Sequence, residues 1–361
     1  MKDQASRSLP LVQMKQAAIP FIRILNKERV TSKIYDVEGT RVLVTCREFL
    51  PKGNKFSANK AIIFFPGWPL RSDSKSIQIL CEELANYSGA RAYAIHTRNE
   101  QVMPNSLYQE TKAVCKFLEE SEVKEFILVG YSQGGIKAIN TIIHLEEISA
   151  DLHVYGLILI VSVGLNEISS GELARRYIAD FLIKSLGVIV AEVARNPSLR
   201  KKFRSLVDNL SVAAHACLDF FICILKEAKA SNRNYFTRFQ NELQEMAKKS
   251  PYLDQIRVPI VLVQGAKDRV SDYGRMLTQA KDKASQVGLQ DTEAENSHTP
   301  SQNTSKPVLT AHIFSQSASI RMIEAEKFGT HVLPLFRSKS VARVSLYLLQ
   351  RAGRDLNKIS H

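Results

Sequence analysis

Residues 125–146 read EFILVGYSQGGIKAINTIIHLE. The short apolar run Phe126–Val129 is typical of a buried strand. The pentapeptide GYSQG follows it at 130–134, and isoleucines then recur at the spacing of an amphipathic helix, at positions 136, 139, 142 and 143. The stretch therefore predicts a strand, a tight turn and a helix, with Ser132 at the apex of the turn.

The glycines of this turn have a mechanical role. A sharp strand-to-helix turn brings backbone segments close together, so a side chain at Gly130 or Gly134 would clash. The turn lifts the hydroxyl of Ser132 clear of the sheet and points the backbone N–H of Gln133 towards the atom that the serine attacks. A glycine-rich turn with an incidental serine is the alternative. Because both flanks fit a strand and a helix, we favour a nucleophilic serine.

Strands and helices alternate on both sides of this stretch. Residues 33–37 and 41–45 read as a hairpin around Gly39. Further strands are predicted at 61–65, 92–95, 156–163, 260–263 and 320–323, and helices at about 74–87, 106–119, 272–283 and 340–349. This alternation predicts an α/β fold with a mostly parallel central sheet flanked by helices, built from residues 34–164 and 251–361.

Two segments interrupt the alternation. Residues 165–250 carry only helical patterns between two buried strands, which predicts an all-helical cap inserted over the strand ends. Residues 285–306 are rich in polar residues, which indicates a flexible surface loop within the core.

The N-terminal segment 1–33 is a basic arm. It has seven Lys and Arg against two acidic residues, and its apolar residues up to Leu25 are spaced as in a helix, although Pro20 must break or kink that helix. One interpretation is peripheral contact with an anionic membrane or a partner, and the other is a helix packed on the core.

The overall composition narrows the class of protein. The chain has 361 residues, 45% of them hydrophobic, and a net charge of +13. No zinc-ligand spacing, helix-turn-helix or basic stretch interleaved with aromatics appears, so we expect no nucleic acid and no metal. Five cysteines, an odd count mostly within apolar runs, fit a reducing compartment. No signal-peptide core or spanning segment is visible, so we expect a cytoplasmic protein.

A nucleophilic serine needs a histidine to take its proton and a carboxylate to orient that histidine. Parallel strands end at one edge of a sheet, so both groups are expected after strand ends on the edge where Ser132 lies. Asp268 follows the strand that begins at Ile260, and His331 follows the last strand. His298 falls in the polar loop, His312 precedes the last strand on an expected helix, and His96 precedes the serine as a structural or pocket residue. Glu167 is the reserve carboxylate.

The chain resembles the α/β-hydrolase family over nearly its whole length. The resemblance rests on the GYSQG turn, on Gly265-x-x-Asp268 and on the GTHVLP stretch at 329–334, in the order Ser, Asp, His. It implies that Ser132 is the nucleophile, His331 the general base and acid, and Asp268 the orienting acid. Three departures are Pro-Gly in place of the family's usual His-Gly at residues 66–67, a spacing of 136 residues between Ser132 and Asp268, and a spacing of 63 residues between Asp268 and His331. The predicted cap accounts for the second and the polar loop for the third.

The same resemblance implies an oxyanion hole made by the backbone N–H groups of Trp68 and Gln133. Trp68 and Tyr131 are the expected substrate contacts. The implied activity is hydrolysis of a small-molecule or lipid-like carboxylic ester or thioester with an apolar acyl group, through an acyl-enzyme and without a cofactor. An acyltransferase on the same fold, or a non-catalytic binding protein at a membrane surface, are the alternatives.

Overall fold

The computed structural model describes the greater part of the predicted core and a part of the predicted cap. The described residues are 23–25, 28–52, 57–99, 106–148, 151–165, 167–179, 219, 221–226, 229, 235–248, 255–256, 258–265, 270, 309–314, 320–325, 338–339, 341–343, 345–347 and 349–350. Asp268, His298, His331 and the polar loop at 285–306 lie outside them.

Within the described residues, ten strands form one sheet. They are β1 (Arg23–Leu25), β2 (Glu28–Val37), β3 (Thr40–Phe49), β4 (Ser57–Phe65), β5 (Ala90–Asn99), β6 (Glu125–Tyr131), β7 (His153–Ile160), β8 (Ile260–Gly265), β9 (Leu309–Phe314) and β10 (Ile320–Ala325). Their order is β1-β2-β3-β5-β4-β6-β7-β8-β10-β9. The strands from β5 to β10 in this order pair in parallel, and antiparallel strands complete both edges. The predicted mostly parallel sheet is confirmed.

Helices cover both faces of the sheet. They are α1 (Lys75–Ser88), α2 (Ser106–Glu119) and α3 (Gly134–Ile148). Ile62 and Phe64 of β4 lie in one apolar cluster, with α1 and the helical residues of 338–350. Ile63 and Phe65 lie in the other, with α2 and α3. The continuous apolar run of β4 therefore reflects burial on both of its faces.

The described residues of 165–250, the segment predicted to form a cap and called the cap below after that prediction, contact the core at several points. The cap includes α4 (Ser170–Tyr177) and α5 (Tyr235–Met246), which contact each other. The N–H of Ile168 donates to the carbonyl of Ala247 at 2.9 Å, so the insertion leaves and re-enters the core at neighbouring points. Asp219 accepts hydrogen bonds from the backbone N–H and the hydroxyl of Ser76 at 2.8 and 2.9 Å. This carboxylate thus supplies a cap for the start of α1, where Ser74 makes no side-chain cap.

Two local predictions are corrected. Residues Arg23–Leu25 form a strand that pairs with β2, so the helical spacing assigned to the basic arm is wrong at its C-terminal end, because pairing with an open sheet edge overrides it. His312 was expected on a helix but lies on β9, antiparallel to β10. Short apolar runs do not distinguish edge strands from helix segments, since that choice depends on the available partner.

Candidate active site

Ser132 lies directly after β6 in a strained backbone conformation. Its φ is +52°, in the left-handed region that L-residues rarely adopt. The N–H of Ser132 donates to the carbonyl of Ile160, at the end of β7, at 2.9 Å. The residue is 1% exposed. The predicted tight turn is present, and its geometry is held by a neighbouring strand.

Glycines permit the close contacts that this turn requires. A Cβ on Gly134 would lie 2.0 Å from the carbonyl oxygen of Phe65, and a Cβ on Gly130 would lie 2.4 Å from the Cα of Gly135. A Cβ on Gly67 would lie 2.5 Å from the Cβ of Ser132. The segment Pro66–Trp68, called the oxyanion loop after its predicted role, therefore packs directly against the serine.

The backbone N–H of Gln133 has a fixed direction. It belongs to the same planar peptide as the carbonyl of Ser132, which accepts hydrogen bonds from the N–H groups of Gly135 and Val163 at 3.0 and 3.3 Å. Because the carbonyl is held by these donors, the N–H on the opposite side of the peptide is held as well. This arrangement supports the role of Gln133 as one donor of an oxyanion hole.

The oxyanion loop carries the second expected donor, the N–H of Trp68. The carbonyl of Gly67, in the same peptide, accepts from the N–H of Leu70 at 2.7 Å. The Trp68 side chain is partly buried and packs on the core. Tyr131, the other expected substrate contact, is 1% exposed and belongs to the core cluster. Its ring packs beneath Gly67, so Tyr131 supports the oxyanion loop from the core side.

A small polar cavity lies between the oxyanion loop, α3 and the cap. Its volume is about 40 Å³. The lining combines loop residues with charged and polar side chains: Pro66, Trp68, Pro69, Leu70, Arg71, His96, Thr97, Glu110, Gln133, Lys137 and Glu242. This volume has room for a few water molecules and is too small for an acyl chain.

A buried charged network forms one wall of the cavity. The ammonium of Lys137 donates to Glu110 Oε2 at 2.6 Å and to Thr97 Oγ1 at 2.7 Å, and the Thr97 hydroxyl donates to the same carboxylate oxygen at 2.6 Å. The two charges compensate each other and tie α3 to α2 and β5. Sequence reasoning missed this network, although a lysine in an isoleucine-rich helix was the available signal.

His96 lines the same cavity. Its Nδ1 lies 3.2 Å from the hydroxyl of Ser72. Burial, together with the nearby Arg71 guanidinium, lowers the pKa of His96 to about 3, so the imidazole is neutral at neutral pH. The structure thus places His96 among the pocket residues, as expected from its position before the serine.

For Asp268 and His331, the expected partners of Ser132, the structure gives only the positions of the strands that precede them. Asp268 and His331 lie outside the described residues, but the strands that precede them do not. β8 and β10 are parallel neighbours whose last residues, Gly265 and Ala325, are paired. β6, β7 and β8 are also parallel, so these ends share the edge that carries Ser132. Glu167, the reserve carboxylate, is exposed.

Solved structures resemble this chain. A probable hydrolytic enzyme from Pseudomonas aeruginosa is 15% identical, with a TM-score of 0.53, over 89% of this chain and 93% of its own. An esterase from Exiguobacterium antarcticum is 11% identical, with a TM-score of 0.52, over 88% and 98% of the two chains. A bromoperoxidase from Bacillus anthracis is 10% identical, with a TM-score of 0.51, over 89% and 99%. The chain therefore has the α/β-hydrolase fold, as its motifs predicted.

No family model and no curated protein matches the sequence. In the part of the chain that the structure describes, no helix combines the length and the apolar character needed to span a bilayer. The same residues contain no group of three or more His, Cys, Asp or Glu placed to hold a metal ion.

Proposed function

We propose that the chain is a serine hydrolase that cleaves carboxylic ester or thioester bonds of a substrate with an apolar acyl group. Ser132 attacks the carbonyl carbon, and His331, oriented by Asp268, accepts the serine proton and passes it to the leaving group. The backbone N–H groups of Trp68 and Gln133 stabilise the developing oxyanion. Water activated by His331 then hydrolyses the acyl-enzyme.

The observation that carries this proposal is the backbone of Ser132. A φ of +52° costs an L-residue roughly 1–2 kcal/mol, and glycine at the same position would remove that cost. The surrounding hydrogen bonds nevertheless hold a serine in this conformation, between a buried strand and a helix. Backbone strain of this kind collects at functional sites, where it presents a reactive side chain.

The proposed proton relay is supported by the sheet topology. Asp268 follows the end of β8 by three residues, and His331 follows the end of β10 by six. Both strand ends lie on the edge where Ser132 follows β6. Short connections from neighbouring parallel strands are the usual route by which this fold collects its catalytic groups.

The apolar acyl group is supported by the face that the cap turns towards the core. Leu173 and Tyr177 of α4 and Leu243 and Met246 of α5 all belong to the core cluster on the α1 side of the sheet. A cap with an apolar inner face can shield an acyl chain from water while the ester carbonyl reaches the serine.

The test is hydrolysis of p-nitrophenyl esters of two to twelve acyl carbons by the wild-type protein and by Ser132→Ala. We expect kcat to fall by about 10⁴-fold or more in the variant, because nucleophile and base act as one unit. Equal rates from the two proteins would refute the proposal. Matched pairs then test the partners: Asp268→Asn against Glu167→Gln, and His331→Ala against His312→Ala, with large losses expected only for the first of each pair.

Three further experiments separate this proposal from the two alternatives, an acyltransferase and a non-catalytic binding protein. A fluorophosphonate probe followed by peptide mapping shows whether Ser132 is a reactive nucleophile. Formation of a new ester from an added alcohol would identify an acyltransferase. Salt-sensitive binding to anionic liposomes without labelling of Ser132 would instead identify a non-catalytic protein at a membrane surface.

A further inference from the structure

A buried phenol joins the cap to the oxyanion loop. The hydroxyl of Tyr177, in the last turn of α4, donates a hydrogen bond to the backbone carbonyl of Trp68 at 2.6 Å. The two rings also meet, with centroids 5.9 Å apart and planes tilted by 55°. We propose that Tyr177 is a positioning residue through which the cap sets the direction of the Trp68 N–H. This inference rests on the proposed function of Ser132.

The carbonyl of Trp68 matters because peptide groups are planar. The N–H of Trp68 shares its peptide with the carbonyl of Gly67, which Leu70 holds at 2.7 Å. The next peptide contains the carbonyl of Trp68, which Tyr177 holds. Each of the two peptides that flank the Trp68 Cα thus accepts a hydrogen bond, one from the N–H of Leu70 in the following turn and one from the hydroxyl of Tyr177 in the cap. Without the phenol, the dihedral angles of Trp68 lose one of these two constraints.

The two proposed oxyanion donors differ in what holds them. The peptide that carries the Gln133 N–H is held by Gly135 and Val163, which belong to the core around the nucleophile turn. The Gln133 side chain also contacts the cap, since its amide lies 3.3 Å from a carboxylate oxygen of Glu242 on α5. That contact acts on the side chain and leaves the backbone N–H fixed. The Trp68 donor is therefore the one whose direction the cap controls.

A cavity borders the oxyanion loop, so packing from that side does not fix the orientation of Trp68. About 40 Å³ of open polar volume separates the residues of the oxyanion loop from Lys137 on α3 and Glu242 on α5. A segment that borders open volume on one side has fewer of the close contacts that hold a core residue in place. Gly67 is packed against Ser132, but the following residues Trp68 and Leu70 border the cavity. On the side of Trp68 that borders this space, the hydrogen bond from Tyr177 therefore adds a constraint to the one that Leu70 supplies within the loop.

The decisive variant is Tyr177→Phe, which removes the hydroxyl and keeps the ring on Trp68. A lost oxyanion donor typically costs about 10²–10³-fold in kcat. A donor that is present but less well oriented should cost less, so we expect kcat to fall about 10-fold with KM within 2-fold of the wild-type value. The rate of fluorophosphonate labelling of Ser132 should fall in parallel. Tyr347→Phe, a matched change at an exposed tyrosine, should leave both unchanged.

A second readout follows the loop directly. Trp68 is the only tryptophan in the chain, so fluorescence excited at the long-wavelength edge of absorption, where the tyrosines do not absorb, reports on this loop. Tyr177→Phe should lower the steady-state fluorescence anisotropy of Trp68 and raise its quenching by acrylamide. Glu242→Met removes the contact between the cap and the Gln133 side chain. It should leave the anisotropy of Trp68 unchanged and reduce the rate of Ser132 labelling by less than about 3-fold. Circular dichroism verifies that each variant is folded.

The possible outcomes decide separate questions. Absence of Ser132 labelling in the wild-type protein would overturn the proposed function, and with it the catalytic part of this inference. Normal labelling in the wild type together with wild-type kcat and anisotropy in Tyr177→Phe would overturn the inference alone. A loss in Glu242→Met as large as that in Tyr177→Phe would overturn the assignment of control to the Trp68 donor.

Discussion

Gly134→Ala is the sharpest test of the packing around the nucleophile turn. The added Cβ would lie 2.0 Å from the carbonyl oxygen of Phe65 and 2.7 Å from its carbonyl carbon. An ordinary contact of this type needs about 3.4 Å, so the two segments must separate by more than about 1 Å. The obstacle is the backbone of Phe65 at the end of β4. Phe65 pairs with Gly130 of β6, and the preceding Phe64 also pairs with β5, so this backbone cannot rotate away as a side chain would.

The expected cost has two parts. Overpacking a dense core costs about 1–3 kcal/mol, and a rigid backbone obstacle places Gly134→Ala at about 3 kcal/mol of unfolding free energy. For a chain of this length, that loss corresponds to a Tm about 4 °C lower. Phe65 leads directly into the oxyanion loop, so its displacement also moves Trp68 relative to Ser132. A displacement of about 1 Å at reacting groups can cost about 100-fold in rate.

The assay pairs urea unfolding with the rate of Ser132 labelling. Gly171→Ala is the matched control, because a Cβ added there would meet no atom within 4 Å and the residue is in the first turn of α4. That change should be neutral or stabilise by about 0.5–1 kcal/mol. Equal unfolding free energies for Gly134→Ala and Gly171→Ala would refute the close approach, and labelling of Gly134→Ala at the wild-type rate would refute its link to the site.

Three further outcomes are expected. Ser132→Gly should be about 1 kcal/mol more stable than Ser132→Ala in urea unfolding, because only glycine tolerates a φ of +52° without strain; the reverse order would contradict the strained turn. Lys137→Met should lose about 3 kcal/mol by leaving its carboxylate partner without the ammonium, and Lys137→Met combined with Glu110→Leu should recover most of it; additive losses would contradict the coupled pair. The pKa of His96 is lowered to about 3 in the folded protein, so the unfolded chain binds the proton first and stability should fall as pH drops from about 6.5 towards 3. Since the ring is partly exposed to the cavity, the unfolding free energy should change by less than the limit of about 1.4 kcal/mol per pH unit. His96→Gln should reduce this dependence on pH, and an unchanged dependence in that variant would show that another group causes it.

Local sequence pattern was sufficient for the elements at the centre of the sheet. α2 is observed at Ser106–Glu119, as predicted, and β4, β6 and β8 each contain the predicted apolar run. The strands are buried on both faces and the helix along one stripe. The spacing of their apolar residues therefore shows directly which side chains are buried. β1 and β9 were not predicted. Each is an edge strand that pairs with the next strand along the chain, and a short run of this kind does not distinguish an edge strand from a helix segment.

In the candidate site, too, some residues could be identified from the sequence and others only from the structure. Ser132, Gln133 and the glycines were identifiable because a strand, a tight turn and a helix must follow one another along the chain. The bond from Tyr177 to Trp68 joins residues 109 positions apart, and Lys137 meets Glu110 and Thr97 from another helix and a strand. A phenol or a lysine in a helix has many possible partners, and its pattern in the sequence does not select among them.

The sequence by itself determined the strands and helices at the centre of the sheet and the tight turn at Ser132, because steric limits and hydrophobic period act between residues close along the chain. Tertiary structure decided which cap side chains hold the oxyanion loop and which charges compensate each other beside it, because those contacts form only once distant segments have been brought together by burial of the sheet.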